Sequence, residues 1–325
     1  MTFTDQQYDV VIIGGGAAGL SGAVSLARSR RSVLVVDAGQ PRNAPAEGVH
    51  NYLGREGTPP GELLAIGRAE LAGYGGEVVS GVVTAARRDG DAGFCVTLDG
   101  GREVSARRLL IATGLVDELP DLPGVAERWG RDVLHCPYCH GWEVRDQAIG
   151  VLATGPTAVH QALLFRQLSK DVTFFRHTGP ELPAEEAAQL AALGIRIVDG
   201  EVAGLEASDD RLTGVRLASG EVVPRAAVVV APRFTARADV LASLGLEATD
   251  QEMHGHVVGS AVAADPTGAT AVPGVWVAGN VSDLSAQVVV SAAAGMRAGA
   301  MINADLIAED TRRAVTVARN LRGAA

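Results

Sequence analysis

Apolar residues fall along this chain in short continuous runs, and several of the runs open directly into glycine. Tyr8-Asp-Val-Val-Ile-Ile13 leads into Gly14-Gly15-Gly16-Ala17-Ala18-Gly19, after which Leu20 to Arg28 takes up a helical spacing. A largely apolar run of this length predicts a strand buried in a parallel sheet. Ser32-Val-Leu-Val-Val36 predicts a second one, ending at Asp37. Strand, glycine turn, helix, strand and acid together make a complete dinucleotide-binding unit, a far more specific signal than a lone Gly-x-Gly-x-x-Gly. Gly14 permits the tight turn, Gly16 lets a pyrophosphate approach the backbone, and Gly19 lets the helix lie close to the strand. The helix N-terminus faces the phosphates, and Asp37 can accept hydrogen bonds from ribose hydroxyls.

A second unit of the same kind starts at Ala148-Ile-Gly-Val-Leu-Ala-Thr-Gly-Pro-Thr-Ala158 and runs through a helical stretch, His160 to Leu168, into the strand Asp171-Val-Thr-Phe-Phe-Arg176. Its fingerprint is damaged. Ala153 stands at the first glycine position, Gly155 at the second, and Pro156 follows. Proline is tolerable in the first turn of a helix, but a methyl at the first position makes the tight turn less comfortable. Leu109-Leu-Ile-Ala-Thr-Gly114 and Val228-Val-Val230 read as further buried strands at domain exits. Val275-Trp-Val-Ala-Gly-Asn280 is another, followed by a helix from about Ala286 to Ala308. The order predicts an α/β protein with two Rossmann-like nucleotide-binding domains, the second inserted into the first: residues 1–116 and 234–325 form one, 117–233 the other.

Composition narrows the function classes. A chain of 325 residues, 47% hydrophobic and 20% charged, has the balance of a soluble globular protein and the length for two cores. Aromatics are only 4%, and the formal net charge of −10 argues against nucleic acid, which needs a basic face. The start, Met1 to Gln7, lacks a basic stretch followed by an apolar run, and no apolar stretch approaches the ~18 residues a membrane helix needs. Three cysteines make no disulfide framework, which points to a reducing cytoplasm. Cys95 reads as a buried strand residue, and His254 and His256 as solvated loop residues.

Two of the cysteines sit in His135-Cys136-Pro137-Tyr138-Cys139-His140, between the two nucleotide units. A Cys-x-x-Cys pair can close and reopen a disulfide and so hold two electrons. The same string also reads as a c-type haem attachment or as half of a zinc site. No export signal favours haem, and no second ligand pair follows at finger spacing. His140 directly follows the pair, with an unperturbed pKa of about 6.5 that suits proton transfer near neutrality.

Taken in this order, Gly14-x-Gly16-x-x-Gly19 with Asp37, Ala112-Thr113-Gly114, Cys136-Pro-Tyr-Cys139 and Ala278-Gly279-Asn280-Val281 resemble the low-molecular-weight thioredoxin reductases over almost the whole chain. The resemblance implies a homodimeric flavoprotein whose outer segments hold FAD and whose inserted domain carries the redox disulfide. It implies FAD contacts from Gly14, Gly16, Ala17, Ala18, Asp37, Ala38, Gln40, Asn43, Asn51, Val83, Ala112, Thr113, Gly114, Gly279, Asn280, Gln287 and Val288. It also implies that Cys139 lies against the flavin as the charge-transfer thiolate while Cys136, the outer sulfur, forms the mixed disulfide. His50 is either a pocket residue or a plain loop residue.

Three departures bear on function. The reductases carry an acid directly after the second cysteine, where this chain has His140-Gly141-Trp142-Glu143. Their His-Arg-Arg cluster and later Arg for the NADPH 2′-phosphate correspond to Arg176-His177-Thr178 and Leu182 here, with Glu181, Glu185 and Glu186 nearby. Their Gly-Asp near the ribityl chain becomes Gly279-Asn280. Cys-x-x-Cys-His-Gly with a weakened NADPH site is similar to the gliotoxin- and holomycin-type dithiol oxidases, which pass electrons from a small-molecule dithiol through FAD to oxygen. This puts NAD(P)H in doubt as a cofactor and predicts Cys136, Cys139 and His140 as the catalytic residues, His140 as base. The alternatives are an NAD(P)H-dependent reductase of a thioredoxin-like protein, a ferredoxin-dependent reductase, and a redox sensor.

Overall fold

The computed structural model describes residues 7–90, 93–253 and 255–323. Met1 to Gln6, on which most of the reading against a secretory signal rests, and His254 lie outside the described residues. His256 is exposed and opens a strand rather than lying in a loop.

The chain begins with β1 (Gln7–Ile13), α1 (Ala17–Arg28) and β2 (Val33–Asp37), then α2 (Pro60–Gly73), β3 (Glu77–Ser80), β4 (Val83–Arg88), β5 (Phe94–Leu98) and β6 (Glu103–Ile111). It continues through β7 (Leu115–Glu118), α3 (Val125–Arg128), β8 (Val133–Leu134), α4 (Pro137–His140), β9 (Ile149–Leu152), α5 (Ala158–Phe165), β10 (Val172–Phe175), α6 (Ala184–Ala192) and β11 (Arg196–Val198). There follow β12 (Val202–Ser208), β13 (Arg211–Leu217), β14 (Val222–Pro224), β15 (Ala227–Val229), β16 (Arg233–Ala236), α7 (Asp239–Ala242), β17 (Ala248–Met253), β18 (His256–Val262), β19 (Val275–Val277) and α8 (Val288–Gly323).

Seven strands form the first sheet, in the order β3-β2-β1-β6-β5-β4 with β19 paired to β6. β1 runs parallel to both β2 and β6, in the registers Val10↔Val33 and Val11↔Leu109. Alternate side chains of β1 go to opposite faces. Val11 and Ile13 join Leu34, Val36 and Leu109 in one core, while Val10 and Ile12 pack with Leu20 and Leu26 of α1 and Ile302 and Leu306 of α8 in another. Both faces being covered is why the run had to be apolar throughout.

The second sheet has the order β11-β10-β9-β15-β8, all parallel, and repeats the same logic. Ile149, Val151 and Phe174 face α5, and Leu152, Phe175 and Val228 face the three-stranded sheet β12-β13-β14. A fourth sheet, β17-β18-β16-β7, pairs β16 antiparallel with β7 in the register Phe234↔Asp117. Among the described residues no helix is long and apolar enough to cross a membrane.

Of the expected elements, α8 differs most, running on to Gly323 rather than ending near Ala308. Around Ala308 the helix is tied to Arg31, ahead of β2, and to Arg108 of β6 by ion pairs. Arg31 reaches Asp310 at 2.8 Å, and Arg108 reaches Asp305 and Glu309 at 2.6 and 2.5 Å.

Candidate active site

The turn after β1 is built as the fingerprint demands. Gly14 has φ +106°, and a Cβ there would fall 2.3 Å from the Ala112 carbonyl oxygen. A Cβ on Gly19 would fall 1.9 Å from the Gly14 carbonyl oxygen, so α1 can lie this close to the turn only with glycine. Gly16, the N-cap of α1, faces nothing within 4 Å. The Gly15 N–H donates to Asp37 Oδ1 at 3.2 Å, fixing the acid at the end of β2. An open backbone at the start of a 12-residue helix beside a held carboxylate suits a diphosphate with a ribose next to it, as FAD provides.

This cradle is one end of a cavity of about 1610 Å³. Of the residues expected to contact FAD, all but Asn51 line it, as do Cys136, Cys139 and His140. Asn51 has another task. Its Nδ2 donates to the Tyr138 carbonyl at 2.7 Å, and its backbone N–H to Glu56 Oε2 at 3.0 Å. It therefore ties the loop at 50–56 to the redox segment.

Cys136 caps α4 in an extended conformation, and Pro137 takes the first helical position, where its missing N–H costs nothing. The N–H groups of Cys139 and His140 both return to the Cys136 carbonyl, at 3.3 and 3.2 Å. Gly141 follows because a Cβ there would lie 2.3 Å from both the Leu168 side chain and the Pro137 carbonyl. The two thiols are half-buried and not joined in a disulfide. The hydrogen bond from the Cys139 thiol, then the N–H groups of Cys139 and Tyr138 and the charge of Arg42, pull Cys136 down to about 7 against the effect of burial. Serving that bond, together with burial, pushes Cys139 well above the ordinary thiol range. These contacts favour the thiolate on Cys136 while the Cys139 thiol donates to it.

His140 is half-buried, and burial is the main reason its pKa falls below the ordinary value; the charge of His50 adds to the fall and Glu143 opposes it. A histidine so placed is neutral at pH 7 and able to accept a proton. His50, ambiguous in sequence, lines the cavity beside it. Its Nδ1 lies 2.6 Å from Glu56 Oε1 and its Nε2 lies 3.5 Å from Glu143 Oε1. The bond to His50 holds the Glu56 carboxyl below its usual range. His135 is bound up with the second sheet: Nδ1 is 3.2 Å from the Val230 carbonyl and its ring meets Phe234 edge-on at 5.1 Å. No group of three histidine, cysteine or acidic side chains able to hold a metal occurs among the described residues.

Arg42 carries a role the sequence did not disclose. Its Nε and Nη2 bind both oxygens of Asp117, at 2.8 and 2.6 Å, and its guanidinium lies 5.2 Å from the centre of the Phe234 ring. Its Nη1 donates to Asn280 Oδ1 at 3.2 Å. Asn280 Nδ2 in turn donates to the carbonyls of Asp283 and Ala286, at 3.0 and 2.9 Å. Two carbonyls facing one side chain require a donor, which an aspartate could not supply when ionised. Here the third departure from the reductases has a local cause.

At the second turn the methyl of Ala153 packs beside Gly179, where a Cβ would come within 3.1 Å of it. Arg176, the one cation left of the expected phosphate cluster, is taken by Asp199 at 2.8 Å. His177 Nδ1 accepts the Val202 N–H at 3.0 Å. Thr178, Glu181, Leu182 and Glu186 line the cavity in place of basic residues.

Comparison with known proteins agrees with this geometry. The family model described as pyridine nucleotide-disulphide oxidoreductase matches residues 8–297. The chain is 31% identical over 320 residues to thioredoxin reductase tcpT of Claviceps purpurea (strain 20.1), covering 94% of this chain and 96% of that one. A solved structure of HlmI superposes with a TM-score of 0.90 at 48% identity, covering 99% of this chain and 98% of that chain. An oxidoreductase from Agrobacterium tumefaciens does so with a TM-score of 0.85 at 36% identity, covering 93% and 99%. Proteins of this kind are FAD-binding flavoproteins. With a complete FAD cradle at one end of its cavity and a Cys-x-x-Cys pair further along it, the chain belongs to the pyridine nucleotide-disulphide oxidoreductase family as a thioredoxin reductase-like enzyme.

Proposed function

We propose that this enzyme oxidises a small-molecule dithiol to its disulfide with oxygen as acceptor, so that dithiol and O2 become disulfide and hydrogen peroxide. The observation that carries the reading is at the second nucleotide unit, where the surviving Arg176 is bound to Asp199 and carboxylates line the cavity. Among the described residues, the wall from Thr178 to Glu186 offers a 2′-phosphate dianion no lysine or arginine. FAD, when bound, supplies the two-electron acceptor for the reduced cysteine pair.

The chain's own residues divide the remaining work. His140, neutral because it is buried, takes the proton of the first substrate thiol. The resulting thiolate attacks Cys136 of the Cys136–Cys139 disulfide, forming the mixed disulfide and releasing Cys139, which takes up the proton from His140. The second substrate thiol gives its proton to His140 and bonds to the first substrate sulfur, displacing Cys136, whose low pKa with the Cys139 thiol donating to it makes it a good leaving group. The reduced pair then holds the two electrons and the product departs. His50, between Glu56 and Glu143, provides a second imidazole at the same mouth for relaying the proton outward.

The same reading takes residues 1–116 with 234–325 as the FAD-binding domain and 117–233 as the inserted one. The β7–β16 pairing supports these limits, since the chain leaves and returns through adjacent strands. Exposed Val290, Met296, Met301 and Ile307 on α8 support a homodimer, and the cysteine usage supports a cytoplasmic location. An NAD(P)H-dependent reductase of a thioredoxin-like protein is the second reading, favoured by the intact β9–α5–β10 frame. Oxygen uptake by the purified holoenzyme with dithiothreitol tests the first. Uptake matched one for one by hydrogen peroxide is expected, and dithiol-independent or absent uptake with an intact flavin contradicts it.

A further inference from the structure

Gln161, on α5, lines the cavity yet is only 4% exposed. Its Nε2 donates to the His135 carbonyl at 3.3 Å and lies 3.1 Å from His135 Nδ1. Its Oε1 has no partner among the described residues. Buried amide oxygens are almost always satisfied, so an orphan one on a cavity wall is an acceptor waiting for a donor. Its neighbour His135 directly precedes Cys136, which sets the orphan acceptor close to the redox pair.

The wall around Gln161 has a consistent character. Thr157 caps α5 without using its hydroxyl on the helix, so that group also stays available. Among the described residues of the inserted segment, 117–233, the only arginine or lysine on the cavity is Arg233, which Glu118 and Asp250 engage; Arg42 and Arg237 reach the cavity from the first domain, and Arg42 is bound by Asp117. Glu181 and Glu186 line the same cavity. Such a crevice repels carboxylates and phosphates and accepts neutral or cationic groups. It is continuous with Cys136, Cys139 and His140.

We propose that the crevice left by the failed second fingerprint is the substrate chamber, taking the body of an uncharged or cationic small dithiol whose N–H or O–H donates to Gln161 Oε1 while a thiol meets Cys136. The inference rests on the dithiol-oxidase reading and adds a substrate class to it. A nucleotide-binding frame has thereby been turned from an electron donor's site into an electron donor substrate's site, with the carboxylates selecting charge and Gln161 reading a polar hydrogen.

The test compares two dithiols of the same reactivity that differ in charge and in a donor, dihydrolipoamide and dihydrolipoate, by anaerobic flavin bleaching of the holoenzyme. Dihydrolipoamide is expected to show a kcat/KM about tenfold higher or more. In the double variant Glu181→Gln/Glu186→Gln, and separately in Gln161→Met, that ratio should shrink toward one. Each preparation is compared with itself, so partial misfolding of the buried Gln161 variant does not distort the ratio, and Glu181 lies on the surface. Equal rates for the two dithiols, a preference for the acid, or a ratio untouched by both variants overturns the proposal. Bleaching by dithiothreitol without discrimination would defeat this inference alone, whereas no bleaching by dithiothreitol would defeat the oxidase reading beneath it.

Discussion

β1–α1–β2 and β9–α5–β10 are the same unit built twice, and they have kept different halves of its chemistry. In the first, Gly14 and Gly19 allow backbone approaches that any side chain would block, and Asp37 is held at the end of β2. In the second, the sheet and helix persist while Ala153 fills the turn and Asp199 consumes the remaining cation. The frame depends on buried apolar runs, which both units retain. The ligand depends on a few turn residues and charges, which only the first retains. Fold and cofactor are thus separable within one chain, and the reactive groups of the second half lie on α4 rather than at its glycine turn.

The contrast can be broken most severely at the first turn. Gly14→Ala places a methyl against the Ala112 carbonyl at positive φ, and the purified protein should carry almost no flavin, measured as visible absorbance per protein. Ala153→Gly at the matching site should leave flavin content unchanged. Next in size is His140→Gln, which keeps the bulk and removes the base. Dithiol-dependent bleaching should slow about 10²-fold or more while flavin stays bound, and the acid limb of the wild-type rate profile should lie below pH 6.5, in the direction burial pushes His140. The smallest effect concerns the pair itself. In the reduced enzyme, alkylation of Cys136 should track a thiolate that forms near pH 7, its rate falling as pH drops below that value. Cys139→Ala removes the bond that contributes most to this low pKa, so the midpoint should move up, and an unmoved midpoint would assign the acidity elsewhere.

How far the sequence could be read follows from what each feature depends on. The buried strands and the first turn were legible because burial and glycine geometry leave local signatures. Arg42 was not, since its partners Asp117 and Asn280 lie 75 and 238 residues away. His50 was undecidable for the same reason: it joins the redox mouth only because Asn51 anchors its loop to Tyr138. The anchoring of Asn51 to Tyr138 was equally hidden, since the two lie 87 residues apart. The last third of α8 escaped because residues 311–322 are all exposed, so no buried stripe marks them, and the ion pairs of Asp305, Glu309 and Asp310 come before them.

The central claim is that electrons enter this flavoprotein from a dithiol through Cys136 and Cys139, and that the second nucleotide unit no longer delivers them. An anaerobic titration of the holoenzyme, with NADPH added first and dithiothreitol second, tests it directly in visible absorbance. The flavin spectrum should stay unchanged through stoichiometric NADPH and bleach on dithiothreitol. Rapid stoichiometric bleaching by NADPH would contradict the account and restore the second unit as a working reductase site.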